Sequence, residues 1–226
     1  MGNIVTDAEV LPANQTRRTS RGLDRLVNFS DATMAIAITL LILPLVDVAN
    51  QISTHPAREV LASHAATLAG FAITFAVIGR FWLIHHRVFE LVDSYTYALA
   101  RVNLLWVFCI VSLPFAANLL SNSPGNEPLV YGIYVGTILV TNASMGLMEW
   151  MIRRGPHLLH PGCEEQLGLF QSVLTTGLLL IALLLAVFVP VVNLYALLLI
   201  FAGRPIGILR NRRLSRGGPE ASNPTT

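Results

Sequence analysis

Charge is scarce in this chain of 226 residues, and the scarcity excludes a great deal. Asp, Glu, Lys and Arg together make up 12% of it, whereas an ordinary soluble domain carries about 25%. That supply cannot cover a water-facing surface. Lysine is absent, so all 15 basic residues are arginine, and the formal net charge of +2 offers no basic face for nucleic acid. The 2 cysteines, Cys109 in an apolar run and Cys163 in a loop, share no metal or redox spacing, and no disulfide framework is expected. HExxH, GxSxG, a Walker-type glycine loop and a cluster of carboxylates are all missing. Nothing positive supports an enzyme, and no cofactor or metal is expected.

What the chain has in quantity is apolar residues, 54% of the total. A bilayer is the solvent that suits them, because a helix of about 20 apolar residues crosses the hydrocarbon core and satisfies its own backbone. Runs of that kind lie at 29–48, 60–84, 99–120, 129–152, 168–189 and 190–208. The fold class expected is therefore an all-α membrane protein of about six transmembrane helices. Pro190 stands between the last two runs with almost no polar loop, so VFVPVVN reads either as a tight turn or as a kink. The first 20 residues are polar and lack a signal-peptide pattern, and 211–226 are rich in Gly, Pro and Ser. The expected organisation is a disordered tail at 1–20, a transmembrane domain at 21–210 and a second disordered tail at 211–226.

Arginine placement gives the direction. Arg17, Arg18, Arg21 and Arg25 precede the first run; Arg80, Arg87 and Arg101 flank the link from second to third. Arg153 and Arg154 follow the fourth, and Arg204 to Arg216 follow the last, leaving only Arg58 in the alternate loops. By the positive-inside rule both termini are cytoplasmic, which requires an even number of crossings. No internal repeat is visible, which disfavours a repeat-built transporter.

Ionisable groups at membrane depth ask for a partner or a wet path. RLVNFSDA places Arg25, Ser30 and Asp31 at the start of the first run. Either Asn28, Ser30 and Asp31 cap a helix N-terminus, or they bond to other helices. Trp82, His85, His86 and Arg87 close the second run, and Arg101 and Asn103 open the third at the same end. Adjacent histidines face different sides of a helix, so they make no metal site by spacing. Glu149 and Arg153 are placed for an i,i+4 pair, and Pro44 and Pro114 are candidate kinks at the far end.

RLVNFSDA also resembles the RxxxFSD signature of the transmembrane protein 175 family, and the likeness continues through AIAITLLIL, VIGRFWLIHHRVF and NLLWVFCIVSLPF, over roughly 25–116. These are potassium-permeable channels. The resemblance implies a bacterial-type member in the inner membrane, with the first helices of a homotetramer lining a central pore. It implies a structural network in which Arg25, Phe29, Ser30 and Asp31 of the signature meet Trp82, one or both of His85 and His86, and Asn103. It assigns Ile36, Thr39, Leu40 and Leu43 to the pore, with Ile36 and Leu43 as apolar constrictions and potassium as the permeant ion. Lipids and other copies of the chain are the partners implied. The competing reading is a proton-coupled transporter or a non-conducting scaffold that uses the Asp31 and histidine layer. Ionisable groups crowd one edge rather than the midplane, which favours the channel.

Overall fold

A computed structural model describes residues 20–123, 127–155, 158–160 and 169–188, and within the last stretch side chains for 172–181. It is all-helical: α1 (Ser20–Leu40), α2 (Leu43–Asn50), a 3₁₀ turn (Gln51–Ser53), α3 (Ala57–Ser63), α4 (Ala65–Phe89), α5 (Tyr97–Asn122), α6 (Pro128–Arg154) and α7 (Leu169–Phe188). Among the described residues 4 segments are long and apolar enough to cross a membrane: Arg21–Ser53, Ala65–Phe89, Tyr97–Asn122 and Pro128–Arg154. α7 adds a fifth apolar helix, of 20 residues. The expected sixth run at 190–208, the Pro190 junction, Cys163 and both expected tails except Ser20 lie outside the described residues.

Helix boundaries depart from the hydropathy runs in two places. The first helix starts at Ser20, not at residue 29, so Asn28, Ser30 and Asp31 sit well inside α1. Their amides are already paired along the helix, and the capping alternative falls away. The run at 60–84 is divided, because α3 ends at Ser63 and α4 starts at Ala65. His64 stands in that break, its Nδ1 2.9 Å from the Val60 carbonyl.

Proline explains the break between α1 and α2. Pro44 has no N–H to give to the Leu40 carbonyl, so the backbone tightens to three-residue bonds from Leu41 N to Ile38 O at 3.3 Å and from Ile42 N to Thr39 O at 3.2 Å. The chain then resumes as α2 with Pro44 in its first turn, where the missing donor costs nothing. Pro114 acts differently, since α5 runs through it to Asn122. Thr96 starts α5 by accepting a bond from Leu99 N at 3.2 Å, a side-chain cap of the ordinary kind.

α5 is the centre of the bundle: α1, α4 and α6 all pack on it, and α7 packs on α6. Its Trp106, Ile110, Leu113 and Ala116 are fully buried, and Tyr134, Ile138, Met145, Met148 and Ile152 face it or its neighbours from α6. At the end where α1 begins, the α4–α5 link pairs with the segment after α6 through Asp93 N to Leu158 O at 2.8 Å and His160 N to Leu91 O at 3.0 Å.

Candidate functional site

α1 has two faces, and the sequence writes each as a stripe. Leu23, Ser30, Met34, Ala37 and Leu41 are buried against the bundle, at spacings of seven, four, three and four. Those are the intervals at which side chains share one side of a helix. Phe29 (52% exposed), Ile36 (60%), Leu40 (40%) and Leu43 (57%) form a second stripe that the described residues of the chain leave largely uncovered. Thr39 is exposed beside them, and its Oγ1 donates to the Ile36 carbonyl at 2.8 Å. All the residues assigned to a pore by resemblance thus lie together on the uncovered face, within less than three turns of helix and the first residue past the break.

The buried face is held by polar bonds. Ser30 is fully buried; its hydroxyl donates to the Leu26 carbonyl at 3.0 Å and accepts from Asn103 Nδ2 at 2.8 Å. Asn103, also fully buried, presents its Oδ1 to His85 Nε2 at 2.9 Å. One residue along α1, Asp31 accepts from Trp82 Nε1 at 3.0 Å. A step of one residue turns a helix by about 100°, so the consecutive Ser30 and Asp31 reach α5 and α4 respectively. Three helices are tied at one level.

Of the residues assigned to this network, Ser30, Asp31, Trp82, His85 and Asn103 are brought together and the others are not. His86 is on the surface, pairing with Glu90 at 3.1 Å and stacking on Trp82 with centroids 5.5 Å apart. His85 is therefore the histidine that joins. Arg25 is exposed and makes none of these bonds. It precedes Ser30 by five residues, about 140° around the helix. Phe29 belongs to the uncovered stripe instead.

Trp106 was not legible as part of the site. Its ring stacks on His85 with centroids 4.4 Å apart, and Phe89 covers the other side of the imidazole at 4.3 Å. A signal existed: Trp106 is three residues beyond Asn103 and Phe89 is four beyond His85, both same-face intervals. A second polar layer lies away from α1. Thr74 and Tyr134 hydroxyls meet at 2.9 Å, and Asn142 Nδ2 donates to Thr176 Oγ1 at 2.7 Å. Glu149, 2% exposed, accepts from Ser172 Oγ of α7 at 2.6 Å and does not pair with Arg153, which is exposed. The expected i,i+4 pair is corrected accordingly: Glu149 is turned into the α6–α7 contact, whereas Arg153 is at the helix end in solvent.

Residues 25–114 match the model of the family described as endosomal/lysosomal potassium channel TMEM175. This stretch is a TMEM175-family segment. It holds α1 from Arg25 onward, α2 to α4 and the part of α5 that carries Asn103 and Trp106. A potassium channel of Streptomyces collinus is 28% identical over 140 residues, covering 61% of this chain and 68% of that one. The human endosomal/lysosomal proton channel TMEM175 is 27% identical over 141 residues, 62% of this chain but only 28% of the relative's length. The match thus spans little more than a quarter of the human protein. In fold, the chain is similar to the crystal structure of a lysosomal potassium-selective channel TMEM175 homolog from Chamaesiphon minutus, with a TM-score of 0.66 at 24% identity over 82% of this chain and 98% of that one.

Proposed function

We propose that this chain is a passive, potassium-selective channel subunit of a bacterial inner membrane, with both termini cytoplasmic. On this reading it has about six crossings, and identical copies, four by analogy with the family, surround a pore lined by α1. The observation that carries it is the uncovered stripe of Ile36, Thr39, Leu40 and Leu43 on a helix whose other face is fixed to α4 and α5. Other copies of the chain cover that stripe, and membrane lipid covers the rest of the bundle.

Selection then follows from hydration. Rings of Ile36 and Leu43 hold water poorly and seal a narrow path by dewetting. A cation passing them sheds part of its shell; potassium holds its water less tightly than sodium and meets the lower barrier. The TVGYG filter string of ordinary potassium channels is absent from the sequence, so no carbonyl cage is invoked. Thr39 returns an oxygen ligand within the stripe. No ionisable group stands on it between Asp31 and Asp47, which favours passive flow over proton coupling.

The test is ion flux from proteoliposomes under a potassium gradient, compared with sodium, for the parent and for Ile36→Asn combined with Leu43→Asn. Potassium-selective flux in the parent, with leak or lost selectivity in the variant, is the expected result. Folded oligomeric protein that passes no ion at any potential or pH would sink the channel reading in favour of a transporter or scaffold.

A further inference from the structure

Two buried polar atoms without a hydrogen-bond partner belong to one stacked pair of rings: His85 Nδ1 and Trp106 Nε1. Both side chains are 0% exposed. The imidazole is sandwiched, with Trp106 at 4.4 Å and 16° on one side and Phe89 at 4.3 Å and 26° on the other. Bond direction assigns its tautomer. Asn103 gives its Nδ2 hydrogen to Ser30 and turns its carbonyl oxygen to His85 Nε2. A carbonyl oxygen only accepts, so Nε2 carries the hydrogen and Nδ1 is the bare nitrogen.

Nδ1 is thus the ring's one open position for a proton, and it lies between two aromatic faces. Such faces attract an imidazolium as they do other cations. The ionisable groups that bear on it are Asp31, from α1, and His86, its neighbour on α4. α5 meets it with Asn103 and Trp106, neither of which ionises, and Arg101 of α5 is exposed. The Nδ1–H so formed has no acceptor in this cage, and a buried unpaired donor is costly. The ring must turn or a water must enter, and either disturbs Asn103 and, through it, Ser30 on α1.

We infer that His85 is a proton-binding site whose occupancy is transmitted through Asn103 to the seating of α1. The site itself stands on the cage and the orphaned nitrogen; its effect on flux rests on α1 lining the pore. The test reads both. Imidazolium quenches an indole stacked on it, so Trp106 emission falls as His85 takes a proton. His86 stacks on a second indole, Trp82, so the measurement is made in full-length His86→Gln protein, with His86→Gln/His85→Gln beside it. Glutamine keeps an N–H donor for Asn103 and does not titrate. The expected result is a loss of emission on acidification from about pH 8, the top of the range in which histidine titrates, that is absent when His85 is also replaced. Potassium flux through His86→Gln channels is expected to change by about fivefold or more across the same range, the low end of ordinary coupling between sites, and not in the double variant. A flat emission titration overturns the proton site. A titrating emission with pH-independent flux overturns the transmission to α1. Titrating emission in a protein that passes no potassium supports the proton site and removes the channel reading instead.

Discussion

Replacing Asn103 by leucine, which has nearly its volume, removes both hydrogen bonds that cross from α5 to α1 and α4, at 2.8 and 2.9 Å. Interhelical bonds in membrane proteins contribute about 0.6 kcal/mol on average and up to about 1.7. Losing two therefore costs about 1 to 3 kcal/mol, which at about 1.4 kcal/mol per decade is about five- to a hundred-fold in the folded population. The decisive quantity is the coupling, not the sum. Ser30→Ala removes one of the same bonds, so the double variant repeats part of the loss and the two single effects overlap by about 0.6 to 1.7 kcal/mol. Unfolding by SDS titration in mixed micelles, followed by circular dichroism, measures all three. Ser172→Ala on α7 is the control partner, since it shares no contact with Asn103 and its effect is expected to add within about 0.5 kcal/mol. A coupling between Ser30 and Asn103 no larger than that of the control would refute the claim that the polar layer ties α1 to the bundle.

Three further outcomes follow from the same geometry. Asp31→Asn keeps an oxygen for Trp82 and is expected to retain stability within about 0.5 kcal/mol, whereas Asp31→Leu loses about 1 kcal/mol; equal losses in the same SDS titration would count against the Trp82 bond. Gly70→Leu drives a Cβ to within 2.9 Å of Ser121 Oγ at the α4–α5 contact, and the overpacking is expected to cost about 1 to 3 kcal/mol, read as a lower thermal midpoint. Glu149→Ala is expected to lose about 1 kcal/mol with its Ser172 bond, and most of that loss disappears when Ser172 is already alanine. An undiminished loss in that background means Glu149 holds something other than α7.

The long apolar helices were legible in the sequence because each is a run of about 20 residues with very little charge. It misplaced the start of α1 because hydropathy reports where lipid begins, not where a helix does. Arg21, Asp24 and Arg25 extend α1 outside the apolar run without ending it. Ser30 and Asp31 were legible as residues in need of partners, since RLVNFSDA sets them inside apolar surroundings. Which histidine answered was not legible, because the difference between His85 and His86 is the rotation of α4 against α5, fixed only when the helices pack. Glu149 fails for the same reason. Arg153 is its near neighbour in sequence, but Ser172 is its neighbour in space.

The polar layer lies on the buried face of α1 and still decides what the uncovered stripe presents. Ser30 and Ile36 are six residues apart, about 9 Å along the helix, and on a rigid helix their relative direction is fixed. Turning α1 by one residue, about 100°, would replace Ile36 by Ala35 or Ala37 and Thr39 by Ile38 or Leu40, exchanging a bulky side chain for a small one and moving the hydroxyl off the stripe. Bonds to two different helices, Asp31 to α4 and Ser30 to α5, resist such a turn in a way that either alone cannot. The chemistry of the stripe depends on that angle. Thr39 gives its hydrogen to the Ile36 carbonyl at 2.8 Å, and Thr33 gives its own to Phe29 at 2.8 Å. Each hydroxyl then shows only oxygen lone pairs outward. A surface of methyl groups and acceptors, with no side-chain donor among Ile36, Thr39, Leu40 and Leu43, has nothing to offer an anion and an oxygen to offer a cation that has shed water. On the channel reading, charge sign would follow from the direction of a hydroxyl hydrogen, and the place of that hydroxyl from an anchor on the other side of the helix.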